Sequence, residues 1–163
     1  MGSKHLFVTV GTTKFEKLIS ALSDEKILDI LAKLGYTSIQ FQTGNGHFKK
    51  VSHQLIDIKY NKYFEDFQNE IKQSDLVISH AGAGTCLEVL KTGKPLIVVI
   101  NEDLMDNHQI ELAKHLSQKE YLYYCTCDTL KDILTKDLNL LKAYPLADAN
   151  IFSNYLDQCM GFQ

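Results

Sequence analysis

The chain has 163 residues, of which 45% are hydrophobic and 23% charged, and a formal net charge of −3. That is the profile of one ordinary globular domain, long enough for a real core. It offers no basic field for bulk nucleic-acid binding and no apolar run near the ~20 residues that would cross a bilayer.

Taken in order, Met1-Gly2-Ser3-Lys4-His5 passes straight into an apolar strand at 6–10, leaving no room for a signal peptide. Leu6 stands where a myristoylation signal at Gly2 needs Ser or Thr. The expected location is therefore cytosolic. Gly11-Thr12-Thr13 is a turn. Phe15, Leu18, Ile19 and Leu22 recur at helix spacing and open a helical region over 15–34. It breaks near Ser23-Asp24, where Ser23 is placed to cap a second helix from Ile27 to Leu34, and Gly35 supplies a left-handed end. Strands are expected at 37–42 and 54–58 on either side of the turn Gly44-Asn45-Gly46. A helix at 64–73, a strand at 75–79, a helix at 84–91 and a strand at 96–100 follow. Gly93 and Pro95 mark the last junction. A helix at 107–118, a strand at 121–125 and helices at 128–140 and 148–160, separated by Pro145, complete the chain.

Short apolar strands alternating with helices predict an α/β class, a doubly wound, Rossmann-like parallel sheet forming one domain over 1–163. Ligands of such sheets sit beyond the carboxyl ends of the strands. The loops at 11–14, 43–47, 79–84 and 101–109 are expected to converge there.

Three of these loops carry chemistry. Gly11-Thr12-Thr13 joins a strand to a helix and lets backbone approach an anion, although an ordinary βα turn has the same look. His80-Ala81-Gly82-Ala83-Gly84-Thr85 is more specific. Its small residues expose N–H groups at a helix start, Thr85 adds a hydroxyl, and phosphate is the natural ligand. Neither G-x-x-x-x-G-K-[ST] nor G-x-G-x-x-G is present, which disfavours a P-loop and a standard NAD site. His80, if protonated, would neutralise a diphosphate. Glu88, one helical turn beyond Gly84, suits the two hydroxyls of a ribose. Read alone, it is better taken as a helix-surface glutamate favoured by the helix dipole; beside the glycine turn the ribose reading is preferred.

Asp106-Asn107-His108-Gln109 sets four hydrogen-bonding residues at a loop-to-helix junction. They suit a hydroxyl-rich sugar, and helix capping would use only one of them. His108 is the candidate for general-base catalysis, and the catalytic group is otherwise unassigned. Tyr63-Phe64 could flank a flat base, but burial of a helix through Phe64, Phe67 and Ile71 fits the spacing better.

His5, His47, His53 and His115 read as solvated or packing residues, and no metal-binding cluster is present. Cys86, Cys125, Cys127 and Cys159 match neither a zinc site nor a C-x-x-C pair and read as reduced packing residues, with Cys125 and Cys127 on one face of a strand.

The run SHAGAGTCLEVLKTGKPLIVVINEDLMDNHQIELAKHL, with LFVTVGTTKFEKLI before it, resembles the small catalytic subunit of the eukaryotic two-subunit UDP-N-acetylglucosamine transferases. It is also similar to the carboxyl-terminal half of bacterial peptidoglycan UDP-GlcNAc transferases, which have the GT-B fold. The resemblance spans about residues 5–160. It implies donor binding by Gly11, Thr12 and Thr13 and by His80, Gly82, Ala83, Gly84 and Thr85 near the diphosphate. It further implies Glu88 at the ribose and Asn107, His108 and Gln109 at the sugar. His108 departs from the glutamine usual in the bacterial relatives.

The implied reaction is inverting β1,4 transfer of GlcNAc from UDP-GlcNAc to GlcNAc-diphosphodolichol, the second step of lipid-linked oligosaccharide synthesis for N-glycosylation. No cofactor or metal is implied. The acceptor would be held by a separate membrane-anchored subunit, recruiting this chain to the cytosolic face of the endoplasmic reticulum. Docking is implied through the helix at about 148–160, where Ile151, Phe152, Tyr155 and Leu156, with Cys159, form an apolar stripe. The alternative is a non-catalytic nucleotide-sugar-binding or regulatory subunit.

Overall fold

The computed structural model describes residues 2–11, 14–104 and 107–145, without the side chains of Leu104, Asn107 and His108. Six strands form one sheet: β1 (Lys4–Thr9), β2 (Tyr36–Gln42), β3 (Asp57–Asn61), β4 (Leu76–His80), β5 (Leu96–Ile100) and β6 (Tyr123–Thr126). Their order is β3-β2-β1-β4-β5-β6, and all five pairings are parallel. Parallel neighbours need crossovers. These are supplied by α1 (Glu16–Leu22) and α2 (Glu25–Lys33), α3 (Phe67–Gln73), α4 (Ala83–Lys91) and α5 (Asn107–Gln118), with α6 (Leu130–Leu134) after β6; β2 and β3 are joined without a helix, through residues 43–56. The doubly wound Rossmann-like sheet expected from the sequence is the one observed.

Helices on both faces explain why β4 and β5 read as unbroken apolar runs: every residue of both is buried. Alternate residues of the strands feed two cores. Leu6, Val8, Ile39, Phe41 and Ile78 pack with Leu18, Leu22, Leu28 and Leu31 on one face. Phe7, Val77, Leu96 and Val98 pack with Ile71, Val89, Leu112 and Leu116 on the other. Phe7 also takes the edges of Phe64 and Phe67 at centroid distances of 5.8 and 5.5 Å, fixing α3 over β1. Of the helix expected to bury Phe64, Phe67 and Ile71, Ile71 is fully buried and the two phenylalanines are half-buried against the core, Phe64 lying just ahead of the helix, and Tyr63 is left exposed.

Several boundaries differ from expectation for local physical reasons. Asp24, not Ser23, caps α2. Its backbone is extended and its carboxylate accepts from Lys26 N, whereas Ser23 closes α1. Gly35 follows α2 at φ +98°, as the expected left-handed end requires. The third strand lies at 57–61 rather than 54–58. At this sheet edge its registered neighbours run from Ser38–Asp57 to Gln42–Asn61, and Tyr60 stacks on Phe41 and Phe48, while Leu55 faces solvent. Helix α3 begins at Phe67, where the Asp66 carboxylate accepts from Asn69 N at 3.0 Å. The helix expected over 128–140 is the short α6, followed by a 3-10 turn at Leu138–Leu140 that Asp137 caps. Strand β6 ends at Thr126, so Cys127 lies past it instead of on its face.

Cys86, Cys125 and Cys127 are free thiols. Burial pushes the thiols of Cys86 and Cys125 up to about 12 and that of Cys127 to about 11, which makes them packing groups rather than nucleophiles. The expected helix at 148–160, with Ile151, Phe152, Tyr155, Leu156 and Cys159, lies outside the described residues.

Candidate functional site

The strand order reverses its direction of growth between β1 and β4. From β1 the chain builds outward to β2 and β3, and from β4 it builds the opposite way to β5 and β6. The turns after these two adjacent strands therefore diverge and leave a crevice at their carboxyl ends. Gly11 closes β1 and His80-Ala81-Gly82 closes β4.

His80 binds the two turns together. The ring is buried, with the residue 8% exposed. A Cβ at Gly11 would lie 2.6 Å from His80 Cε1, and one at Gly82 would lie 2.2 Å from Nε2 and 2.7 Å from Cε1. Only glycine lets both backbones close on the imidazole. Gly11 needs it twice, since its φ is +63°. The Gly11 N–H donates to Thr9 Oγ1 at 3.0 Å, and Ser79 Oγ donates to the His80 carbonyl at 2.8 Å. Burial lowers the pKa of His80 below its ordinary 6.5, and a hydrogen bond to the Thr9 backbone opposes this. At neutral pH the ring is uncharged. In the ligand-free chain the ring acts as a wedge between the two turns.

Helix α4 starts at this point. Its N-cap is Gly82, with no side-chain cap bond, so the first-turn N–H groups are not occupied by a side chain. Cys86, Val89 and Leu90 turn inward, which places Gly84, Thr85 and Glu88 on the opposite, cleft-facing side. A Cβ at Gly84 would meet nothing within 4 Å, so packing within the chain does not require glycine there. Glu88 is exposed, and its Oε2 accepts from Gln68 Nε2 of α3 at 3.5 Å.

These residues share one open cleft of about 340 Å³. It is lined by Gly11, His80 and Gly82 from the two turns, by Gly84, Thr85 and Glu88 from α4, and by Gln42 of β2 and Phe67 of α3. Six residues singled out from the sequence are thereby brought together. Gln42 and Phe67 were not anticipated, and neither was Gln68 beside Glu88. A glutamine ending a strand immediately before Thr43-Gly44 was the available signal for Gln42. Ala83 begins α4, and Gln109 lies half-buried in the first turn of α5. Asn107 and His108 belong to that same turn. Thr12, Thr13 and Asp106 lie outside the described residues. The 43–47 loop comes to the same end of the sheet, where His47 N donates to Glu16 Oε1 at 3.0 Å.

Elsewhere, His5 pairs with Ser38 Oγ and His53 with Asp29 Oδ1, the packing and surface roles expected of them. Among the described residues no group of three or more His, Cys, Asp or Glu is disposed to hold a metal ion. No helix among them is long and apolar enough to cross a membrane.

The glycosyltransferase family 28 C-terminal domain model matches residues 5–157. The chain belongs to that family. It is 47% identical over 129 residues to the Homo sapiens UDP-N-acetylglucosamine transferase subunit ALG13, a match covering 78% of this chain and 11% of that one. The chain therefore spans about a tenth of the length of this mammalian relative. The NMR solution structure of an ALG13 superposes with a TM-score of 0.70 at 27% identity, covering 94% of this chain and 95% of that one. The crystal structure of Acinetobacter baumannii MurG superposes with a TM-score of 0.64 at 21% identity, covering 98% of this chain and half of that one. The fold is that of the carboxyl-terminal half of a GT-B glycosyltransferase.

Two outcomes test the wedge. Gly82→Ala should lose about 1–3 kcal/mol of stability through overpacking, and much less in a His80→Ala background; equal losses in urea unfolding of the two pairs would mean the ring and the turn are uncoupled. The lowered pKa of His80 also fixes a sign. As pH falls below about 6.5 the unfolded chain takes up a proton that the folded ring resists. Its contribution is therefore intact above that pH and is lost progressively below it, toward the folded value. Melting temperature against pH should fall less steeply over that window in His80→Gln.

Proposed function

We propose that this chain is the donor-binding part of a two-subunit N-acetylglucosaminyltransferase, active as a heteromer. It holds UDP-GlcNAc while a membrane-anchored partner holds GlcNAc-diphosphodolichol at the cytosolic face of the endoplasmic reticulum. The observation that carries this reading is the meeting of Gly11, Gly82, Gly84, Thr85 and Glu88 in one cleft at the switch point of a family 28 domain.

The diphosphate lies against the amino end of α4, where unoccupied N–H groups and the helix dipole favour negative charge. Thr12 and Thr13 add contacts from the first turn, and Glu88 accepts from the ribose hydroxyls. Asn107, His108 and Gln109, entering α5 beyond β5, hold the GlcNAc hydroxyls. In the transfer, O4 of the acceptor sugar attacks C1 of the donor from the face opposite UDP. The new C1–O4 bond has β configuration, the bond from C1 to the phosphate oxygen breaks, and a base takes the O4 proton. That base is His108 or a group on the partner. Charge growing on departing UDP is met by donors already in place, with no bound metal taking part. A half-cleft chain needs a second half to present the acceptor, and the relatives' name, transferase subunit, agrees with this division. The segment at 148–160, through Ile151, Phe152, Tyr155 and Leu156, is the docking element of this single domain.

Transfer of GlcNAc from UDP-GlcNAc to a GlcNAc-diphosphate-lipid, assayed with the chain alone and with its membrane subunit, tests the division. Activity is expected only with both. UDP-GlcNAc binding that persists while both samples stay inactive would instead favour a regulatory subunit. Within the active complex, Glu88→Ala should raise KM for UDP-GlcNAc roughly 10- to 100-fold, the worth of hydrogen bonds to a charged group. Gly84→Ala should weaken the donor as well, with melting temperature unchanged or higher because alanine is the better helix former. Unaltered donor affinity in both would remove the cleft from the donor site. Deleting residues from Ile151 onward should abolish co-purification with the membrane subunit, and a retained complex would place the docking surface elsewhere.

A further inference from the structure

Gln42 is a buried amide with too few partners. The residue is 6% exposed, yet its side chain lines the cleft beside Gly11. Its Nε2 donates to the Gly11 carbonyl at 3.4 Å, a long bond. Its Oε1 is the one buried side-chain oxygen or nitrogen among the described residues that has no hydrogen-bond partner. Exchanging the two amide atoms does not cure this, because it would set the oxygen against the Gly11 carbonyl. A buried unpaired carbonyl costs about 1–3 kcal/mol, and folded chains retain few such atoms. Neighbouring Gln40, on the same face of β2, has bonded to Asn61 Oδ1 at 3.3 Å, so an amide in this row is able to find a partner within the fold. Gln42 lies one step nearer the carboxyl edge.

The sheet order places Gln42 relative to a bound nucleotide sugar. Along the carboxyl edge the chain presents Gln42 at the end of β2, Gly11 after β1, His80 and Gly82 after β4, and the entry to α5 after β5. At about 4.8 Å per strand the span from β2 to β5 is roughly 14 Å, comparable to an extended nucleoside diphosphate sugar. With the diphosphate at the glycine turns and the sugar toward α5, Gln42 stands at the nucleoside end. Phe67 in the same cleft and the Gln68–Glu88 contact lie on that side too.

We propose that Gln42 is a further donor-binding residue, whose amide anchors the Gly11 turn through its N–H and gives its free carbonyl to a hydrogen-bond donor on the nucleoside. Oε1 is out of contact with solvent. The terminal torsion of a glutamine is soft, and a small rotation that brings Oε1 to the cleft lengthens the already long 3.4 Å bond to Gly11, a loss that the ligand's donor offsets. The diphosphate has no proton to offer at neutral pH. The donor is a ribose hydroxyl or the imide N–H of the uracil ring. The inference rests on the donor-binding reading above and adds the residue that reads the nucleoside.

Calorimetric titration of the full chain tests it, using UDP and UDP-GlcNAc against wild type and Gln42→Met, the substitution nearest in shape. Both ligands should weaken by the same factor, about five- to tenfold, because the lost contact is to the part they share. On the wild-type chain, which needs no variant to fold, 2′-deoxy-UDP, 3′-deoxy-UDP or N3-methyl-UDP should show a loss at least as large. Because Glu88 also meets the ribose, the donor to Gln42 is identified as the analogue whose loss largely disappears in Gln42→Met. Unchanged UDP affinity in Gln42→Met, a loss confined to UDP-GlcNAc, or full affinity for all three analogues would overturn the assignment while leaving the donor site intact. Failure of the wild-type chain to bind UDP at all would overturn both readings together.

Discussion

The closure of two backbone turns on one buried imidazole is the contact on which the rest of this site depends. Gly11 and Gly82 belong to turns separated by about 70 residues of chain, and both lie against the ring of His80 with no room for a Cβ. The sheet supplies the coarse alignment, since β1 and β4 are registered neighbours from Leu6–Leu76 to Thr9–Ser79. The ring supplies the last ångströms. It sets the amino end of α4 beside the first turn, so that donors from both elements can reach one ligand. A larger residue in either turn would push them apart, and a smaller one at 80 would let them collapse. Its neutrality follows from the same burial: a ring packed this closely is poorly placed to carry charge.

Much of this was legible in the sequence, and the parts that were not share a cause. Strands β4 and β5 were readable because burial on both faces leaves a continuous apolar run, which strong local pattern reports faithfully. The edge strand β3 was read three residues early. It alternates between exposed and half-buried positions, and the apolar pair Leu55-Ile56 just before it gives the stronger signal. The end of α2 was visible in Gly35, but the choice between Ser23 and Asp24 as its cap depended on which backbone was extended, a matter of tertiary placement. The glycine turns and Glu88 were visible because small residues and a carboxylate at a helix start constitute a local pattern. Gln42 was invisible for the opposite reason. An alternating Gln40-Phe41-Gln42 looks like a strand with one wet face, whereas both amides are buried in the fold, Gln40 against Asn61 and Gln42 against the Gly11 turn. His80 was seen as a participant, but its charge state depends on burial that no local pattern reports.

These observations constrain how the cleft handles an anion. Its described lining contains no lysine or arginine, its histidine is neutral near pH 7, and its one charged residue is the carboxylate of Glu88. Attraction by opposite charge is therefore not supplied by the described lining. What that lining offers is direction: the amino end of α4, the Thr85 hydroxyl and closely approaching backbone at Gly11 and Gly82. Fixed dipoles of this kind need little reorganisation as charge moves from one oxygen to another. They suit a group that arrives already charged and gains further charge on leaving. Under the proposed reading the carboxylate meets the ribose hydroxyls, on the side where its exposed 3.5 Å contact with Gln68 links it to α3. A cleft organised by backbone and amides, and divided so that each end meets a different part of the ligand, discriminates by geometry. Gln42 belongs to that logic: at the end opposite α5, an unpaired carbonyl rewards a hydrogen-bond donor and penalises an acceptor, which is the distinction a nucleotide-sugar site must draw at its nucleoside.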